Sequence, residues 1–243
     1  MPFQGSGRFP TTAWTMVRNA QDPRSPERLA AMNRCVAGYW RPVFYYLRAR
    51  EYPFHQAEDL AQEFFLRFFE KNWIRPADPA RGRFRTFLLT ILKRFLSDQG
   101  PDRAPRQKTF DDQLVSISAL ISDQERSFEP AAHENPENVF MKQWALAVIA
   151  NARRALELWC DERGRPDWYQ IFSAVNLPAP GQSRLTQQAL ADRLRLTRDQ
   201  VRYALEEVNA QFVTLLRNEV AEQVETNDEL DTEIGDLQQL LGE

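Results

Sequence analysis

Residues 57–98 read AEDLAQEFFLRFFEKNWIRPADPARGRFRTFLLTILKRFLSD, two helical patterns split by a loop rich in proline and arginine. In the later pattern, Phe84, Phe87, Leu88, Ile91, Leu92, Phe95 and Leu96 recur at the spacing of one helix face, which predicts a buried stripe. The exposed side keeps Arg85, Lys93 and Arg94, with Arg81 and Arg83 in the preceding loop. Residues 83–108 hold seven bases and two acids, which describes either a solvated face or a surface for nucleic acid. Cations beside many aromatic rings favour nucleic acid, because cations track phosphates while ring faces stack on unpaired bases. In the earlier pattern, Ala61, Phe64, Phe65, Phe68 and Phe69 form the expected core stripe. Asp59, Gln62, Glu63 and Leu66 share another face. That face is either a solvated one with an exposed leucine or a docking surface for a basic partner. His55, Glu58 and Asp59 read as an acidic first turn that suits the helix dipole, not as a metal cluster.

Outward from this segment, helical spacing dominates and no run of alternating β-branched residues stands out. SPERLAAMNRCVAGYW opens with Ser25 as the expected N-cap, Pro26 at the first helical position and Glu27 after it. Pro42 is expected to start or kink a second segment. Residues 100–134 carry Gly, Pro, Ser and charge around the short apolar patch LVSISALI, and read as a linker. Helical spacing resumes at PENVF and again after GRPD, with a long last helix from about Thr197 towards Val224 and a short terminal one. The expected fold is all-α: two helical domains joined by a flexible linker, the second containing a helix-turn-helix. The divisions are 10–99, linker 100–134, 135–224 and an acidic tail 225–243.

The helix-turn-helix lies in LTQQALADRLRLTRDQVRYALEEV, residues 185–208. Leu190, Leu194, Leu196, Val201 and Leu205 are spaced to pack two crossing helices, Ala191 is small where they meet, and Thr197 can cap the second. Arg195 stands where such turns often carry Gly. An antiparallel helix pair with no DNA role has the same pattern.

With 43% hydrophobic and 27% charged residues among 243, the composition is that of a soluble protein able to bury a sizeable core. No apolar run approaches the ~20 residues of a membrane span, and the start lacks a signal-peptide layout. Cys35 and Cys160 are too few and isolated for a disulfide framework or a zinc site. A cytoplasmic location follows, with no membrane partner. No Ser/His/Asp set, glycine-rich phosphate loop or metal cluster points to catalysis, so neither an enzyme nor a cofactor is expected. The net charge of −3 hides an asymmetry: residues 1–109 hold 19 bases against 10 acids, and the remainder 12 against 24. Residues 219–243 carry nine acids and no Lys or Arg. The basic part is expected to face a polyanion. The acidic end is either a solvated helix or a segment that lies over the basic surface at low salt.

The segment 57–98 resembles the first domain of the extracytoplasmic-function sigma factors of bacterial RNA polymerase. The stretch 185–220 resembles their second domain, and TTAWTMVRNAQDPRSPE, YWRPVFYYLRAR and NDELDTEIGDLQQLLG look like one subgroup of that family. The resemblance implies that the helix carrying Glu58, Asp59, Gln62, Glu63 and Leu66 docks on core polymerase. It assigns Arg81, Arg83, Arg85, Phe87, Lys93 and Arg94 to the unpaired strand of the −10 element, Phe87 standing where the family often has Trp. It assigns Arg198, Asp199, Gln200, Arg202 and Tyr203 to the −35 element. Core RNA polymerase and promoter DNA are the implied partners, with an anti-sigma or other regulatory protein as a further one. After Asp98 the family's basic helical run is replaced by QGPDRAPRQK, and past Leu205 its arginines are replaced by EEVNAQ. Non-specific affinity near ~10⁻⁴ M is typical even of basic modules. Attachment to polymerase supplies an effective concentration of roughly mM. Two rivals stay open: a sigma-like adaptor without autonomous −35 recognition, and a helix-turn-helix regulator without polymerase contact.

Overall fold

The computed structural model describes residues 14–98, 114, 116–120, 134–177, 185–221 and 227–242. Most of the expected linker 100–134, the loop residues 178–184 and the stretch 222–226 lie outside the described residues. Among the described residues the protein is all-α, with no strand. The elements are α1 (Trp14–Gln21), α2 (Arg28–Ala49), α3 (Phe54–Glu70), a 3₁₀ turn (Pro79–Arg81), α4 (Phe84–Ser97) and the short α5 (Ile117–Leu120). They continue as α6 (Pro136–Glu162), α7 (Pro166–Asn176), α8 (Gln187–Leu194), α9 (Arg198–Ala221) and α10 (Asn227–Gly242). No helix among the described residues is long and apolar enough to cross a membrane.

The chain forms two compact units: Met1–Ala147 with Val220–Glu243, and Val148–Glu219. These units are drawn differently from the divisions expected from sequence. Residues 136–147 of α6 and the acidic α10 belong with the first unit.

In the first unit α1 packs on α2, α2 on α3, and α5 on both α2 and α3. Its core is aromatic: the Phe64 ring lies 5.7 Å from that of Phe68 and 5.6 Å from that of Phe95, and all three are buried. Rings at these separations add about 0.5–1.5 kcal/mol per pair to the area they bury. Trp14 and Tyr39 meet Phe84 edge-on at 6.0 and 5.4 Å, which fixes where α4 starts. α1 is an element that the helical spacing above does not include.

Three details differ from the sequence reading. α2 begins at Arg28, and Ser25 instead accepts the Glu27 N–H at 3.2 Å within the preceding turn. Pro42 starts no new segment; α2 runs through it. A proline in a helix interior removes one hydrogen bond, but Tyr39, Trp40, Val43, Phe44 and Leu47 are buried on both sides of it and hold the helix together. On α4 the buried arc includes Arg85 and Leu89, while Phe87 and Ile91 are only half-buried.

Three helix ends share one device. Glu51, Asn72 and Arg195 adopt φ of 66°, 52° and 56°. The next residue reaches back to a carbonyl in the last turn: Tyr52 to Leu47 at 3.2 Å, Trp73 to Phe68 and Leu196 to Ala191 both at 2.9 Å. These are Schellman-type stops, and a left-handed conformation costs a residue with a Cβ roughly 1–2 kcal/mol. Arg195 is exposed, so Arg195→Gly is expected to stabilise the second unit by about 0.5–1 kcal/mol, net of glycine's extra unfolded entropy. Denaturant melts check this, and a lowered midpoint would contradict it.

Candidate nucleic-acid interface

The loop between α3 and α4 is held from both ends. Asp78 caps the 3₁₀ turn by accepting the Ala80 N–H at 3.0 Å, and Pro79 sits at its first position. Gly82 closes the turn at φ 115°, where only glycine fits without strain. The Gln21 side-chain amide donates to the carbonyls of Ile74, Arg75 and Ala77 at 3.0, 3.2 and 2.8 Å. This clasp pins the start of the loop to α1, and the turn sets Arg81 and Arg83 on either side of Gly82.

The result is a cavity of about 690 Å³ between the loop (Pro76, Asp78, Arg81, Gly82, Arg83) and one side of α4 (Thr86, Phe87, Thr90, Ile91, Arg94). Three arginines thus line one cavity with a phenylalanine, an isoleucine and two threonines. That combination suits a single strand: cations for phosphates, a ring and apolar wall for a base. Arg81 is largely exposed and meets Asp78 at 3.6 Å, a surface pair worth about 0–1 kcal/mol that a phosphate can replace. Of the six −10 candidates, the cavity gathers Arg81, Arg83, Phe87 and Arg94. Gln21 has no signature in sequence, since its acceptors lie 53 to 56 residues away.

Lys93 and Arg85 are not among the cavity's residues. Lys93 pairs with Glu137 at the start of α6, both half-exposed. The correction concerns Arg85, expected on the exposed side of α4 but only 4% exposed. Its guanidinium carbon lies 4.1 Å from the centre of the Trp144 ring, and its nitrogens pair with Glu233 and, at 3.2 Å, with Asp236. Burial, with Arg83 nearby, pushes the Arg85 pKa down to about 10. Helical spacing in α4 cannot reveal this cover, because both carboxylates belong to α10.

On α3, Asp59 is exposed and Glu58 is half-buried, 3.9 Å from His55. Glu63 pairs with Arg67 one turn on. The Gln62 Oε1 accepts the backbone N–H of Ile117 at 3.0 Å, so α5 covers part of this face. Leu66, expected exposed, is buried at 7%. The five residues do share one region of α3, but only Asp59 is openly presented to solvent.

In the second unit, Leu190, Ala191, Val201, Ala204 and Leu205 of α8 and α9 are buried around Ile171, with Leu194 and Leu196 packed against them. Thr197 and Gln200 form a reciprocal cap: Gln200 N–H donates to Thr197 Oγ1 at 3.2 Å, and Thr197 N–H to Gln200 Oε1 at 2.8 Å. Arg198, Asp199, Gln200, Arg202 and Tyr203 are all exposed. Three of them are engaged locally: Gln200 in the cap, and Arg202 with Asp199 at 3.1 Å. Tyr203 meets Trp168 edge-on at 6.0 Å. Glu206 and Glu207 are exposed next to this set.

Comparison with curated proteins and with solved structures returns no match. Residues 35–100, which take in most of α2, all of α3 and α4 and the whole lining of the cavity, match the family model of sigma-70 region 2, so this part of the chain is similar to that region of sigma factors.

Proposed function

We propose that the chain is a sigma factor of bacterial RNA polymerase, of the extracytoplasmic-function kind, acting in the cytoplasm without a cofactor or catalysis of its own. α3 docks on core polymerase, chiefly through Asp59 with Glu58, Gln62, Glu63 and Leu66 around it; α5 yields its part of that face. The cavity takes the unpaired −10 strand, with Arg81, Arg83 and Arg94 on phosphates and Phe87 against a base. α9 meets the −35 element through Arg198, Asp199, Gln200, Arg202 and Tyr203. An anti-sigma or other regulatory protein is a further partner.

The observation that carries this reading is the convergence of three arginines and an aromatic wall on one cavity, inside the residues similar to sigma-70 region 2. The test is association with purified bacterial core polymerase by size exclusion. Comigration supports the proposal, and separate elution overturns it. Within the cavity, Arg94→Ala is expected to flatten the salt dependence of single-stranded DNA binding by up to ~0.7 log unit, the slope of one lost phosphate contact. Lys93→Ala, whose cation already pairs with Glu137, is expected to change it less. Equal slopes for Arg94→Ala and wild type would show that Arg94 is a solvated charge.

A second reading rests on α9. The two arginines at its start, Arg198 and Arg202, sit among Asp199, Glu206 and Glu207, and Arg202 is already paired. This favours an adaptor that binds polymerase through α3 while another protein supplies −35 recognition. Core association without promoter selection distinguishes it from the first reading.

A further inference from the structure

The acidic end of the chain is not a solvated helix. α10 carries five acids and no base over 227–242, yet its buried stripe is Leu230, Glu233 and Leu237, at 8, 1 and 2% exposure. An acid amid buried leucines needs a paired cation, since an unpaired buried carboxylate costs several kcal/mol. Glu233 has two. Arg85 pairs with it from the buried side, stacked on Trp144, and the Arg83 Nε lies 2.6 Å from its Oε1. Asp236, one turn on and about one-third exposed, pairs with both arginines.

The two arginines differ in one respect. Arg85 is sealed and does not line the cavity. Arg83 is 37% exposed, lines the cavity, and holds both acids with the same guanidinium. From this juxtaposition we infer that α10 is a built-in competitor for nucleic acid at the cavity: Arg85 anchors the helix, and Glu233 and Asp236 occupy the Arg83 charge that a phosphate would otherwise take. The free chain therefore binds single strands with one cation withheld. A strand that is held in place by other contacts can take Arg83 over from Asp236 without α10 leaving, because the Arg85–Glu233–Trp144 anchor stays shut. This rests on the reading of the cavity as a nucleic-acid site and adds its regulation.

The test uses the full chain and a short single-stranded DNA, titrated by fluorescence anisotropy at low salt and at 0.15 M. Asp236→Asn removes the rim carboxylate and keeps its size, so folding is expected to be preserved in far-ultraviolet circular dichroism. The variant is expected to bind three- to tenfold more tightly at low salt. Its log affinity should fall more steeply with log salt by up to ~0.7, the slope of one extra phosphate contact. Arg83→Ala in the Asp236→Asn background should cancel both gains. If Asp236→Asn does not fold, Asp236→Ala in the full chain provides the same comparison. Equal affinity and slope for wild type and variant, including no binding by either, overturn the inference. The sigma reading stands or falls separately, on association with core polymerase.

Discussion

Asp59→Lys is expected to abolish stable association with core polymerase while leaving the fold intact. Asp59 is the openly exposed member of the docking face on α3, so reversing its charge disturbs little inside the molecule. A surface substitution of this kind changes stability by only about 0.5 kcal/mol. At an interface, however, it sets like charges against each other, which costs several kcal/mol. Three such kilocalories weaken binding by about a hundredfold, at 1.4 kcal/mol per factor of ten. Asp59→Asn, which only neutralises the charge, should lose far less. Glu63→Lys is a poorer probe, because it also places a lysine one turn from Arg67, the present partner of Glu63. Co-elution of Asp59→Lys with core as tightly as wild type would remove α3 from the interface.

The second large effect is on stability. Arg85→Ala strips the buried Glu233 of its main partner, and breaking one side of such a pair costs about 3–5 kcal/mol. For a unit of this size, that is roughly 10 °C in the melting of the first unit. Arg85→Lys should recover only part of it, since a lysine lacks both the planar stack on Trp144 and the forked donors that reach Glu233 and Asp236. Replacing both partners by apolar residues, Arg85→Met with Glu233→Leu, should restore much of the loss, because the desolvation of two charges goes with them. If Arg85→Ala melts with wild type, the anchor contributes nothing and α10 is held by its leucines alone.

These two residues also mark how far the sequence could be read. The all-α class and the succession of helices follow from local spacing, and so do the Thr197 cap and the small Ala191 between α8 and α9. Each of those features depends on residues within a few turns of one another. Arg85 looked like part of a basic face because the α4 pattern alone decides which residues are apolar, not which polar ones are covered. Its cover comes from carboxylates 148 and 151 residues away. Leu66 escaped notice for the same kind of reason: α3 is buried over more than one stripe. The Gln21 clasp is a side-chain-to-backbone contact, and nothing in a sequence marks which carbonyls an amide will meet. The charge imbalance between the two ends of the chain was legible, but not that it resolves onto Arg83 and Arg85.

Promoter-dependent initiation bears most directly on the central proposal. Core polymerase would be incubated with a pool of random duplexes of promoter length, with and without the chain, and the retained sequences used as templates for run-off transcription. A sigma factor enriches a pair of spaced elements and yields discrete transcripts from them, and both disappear when Asp59→Lys replaces the wild-type chain. Core that binds the chain yet enriches no sequence and starts no discrete transcript would contradict the account.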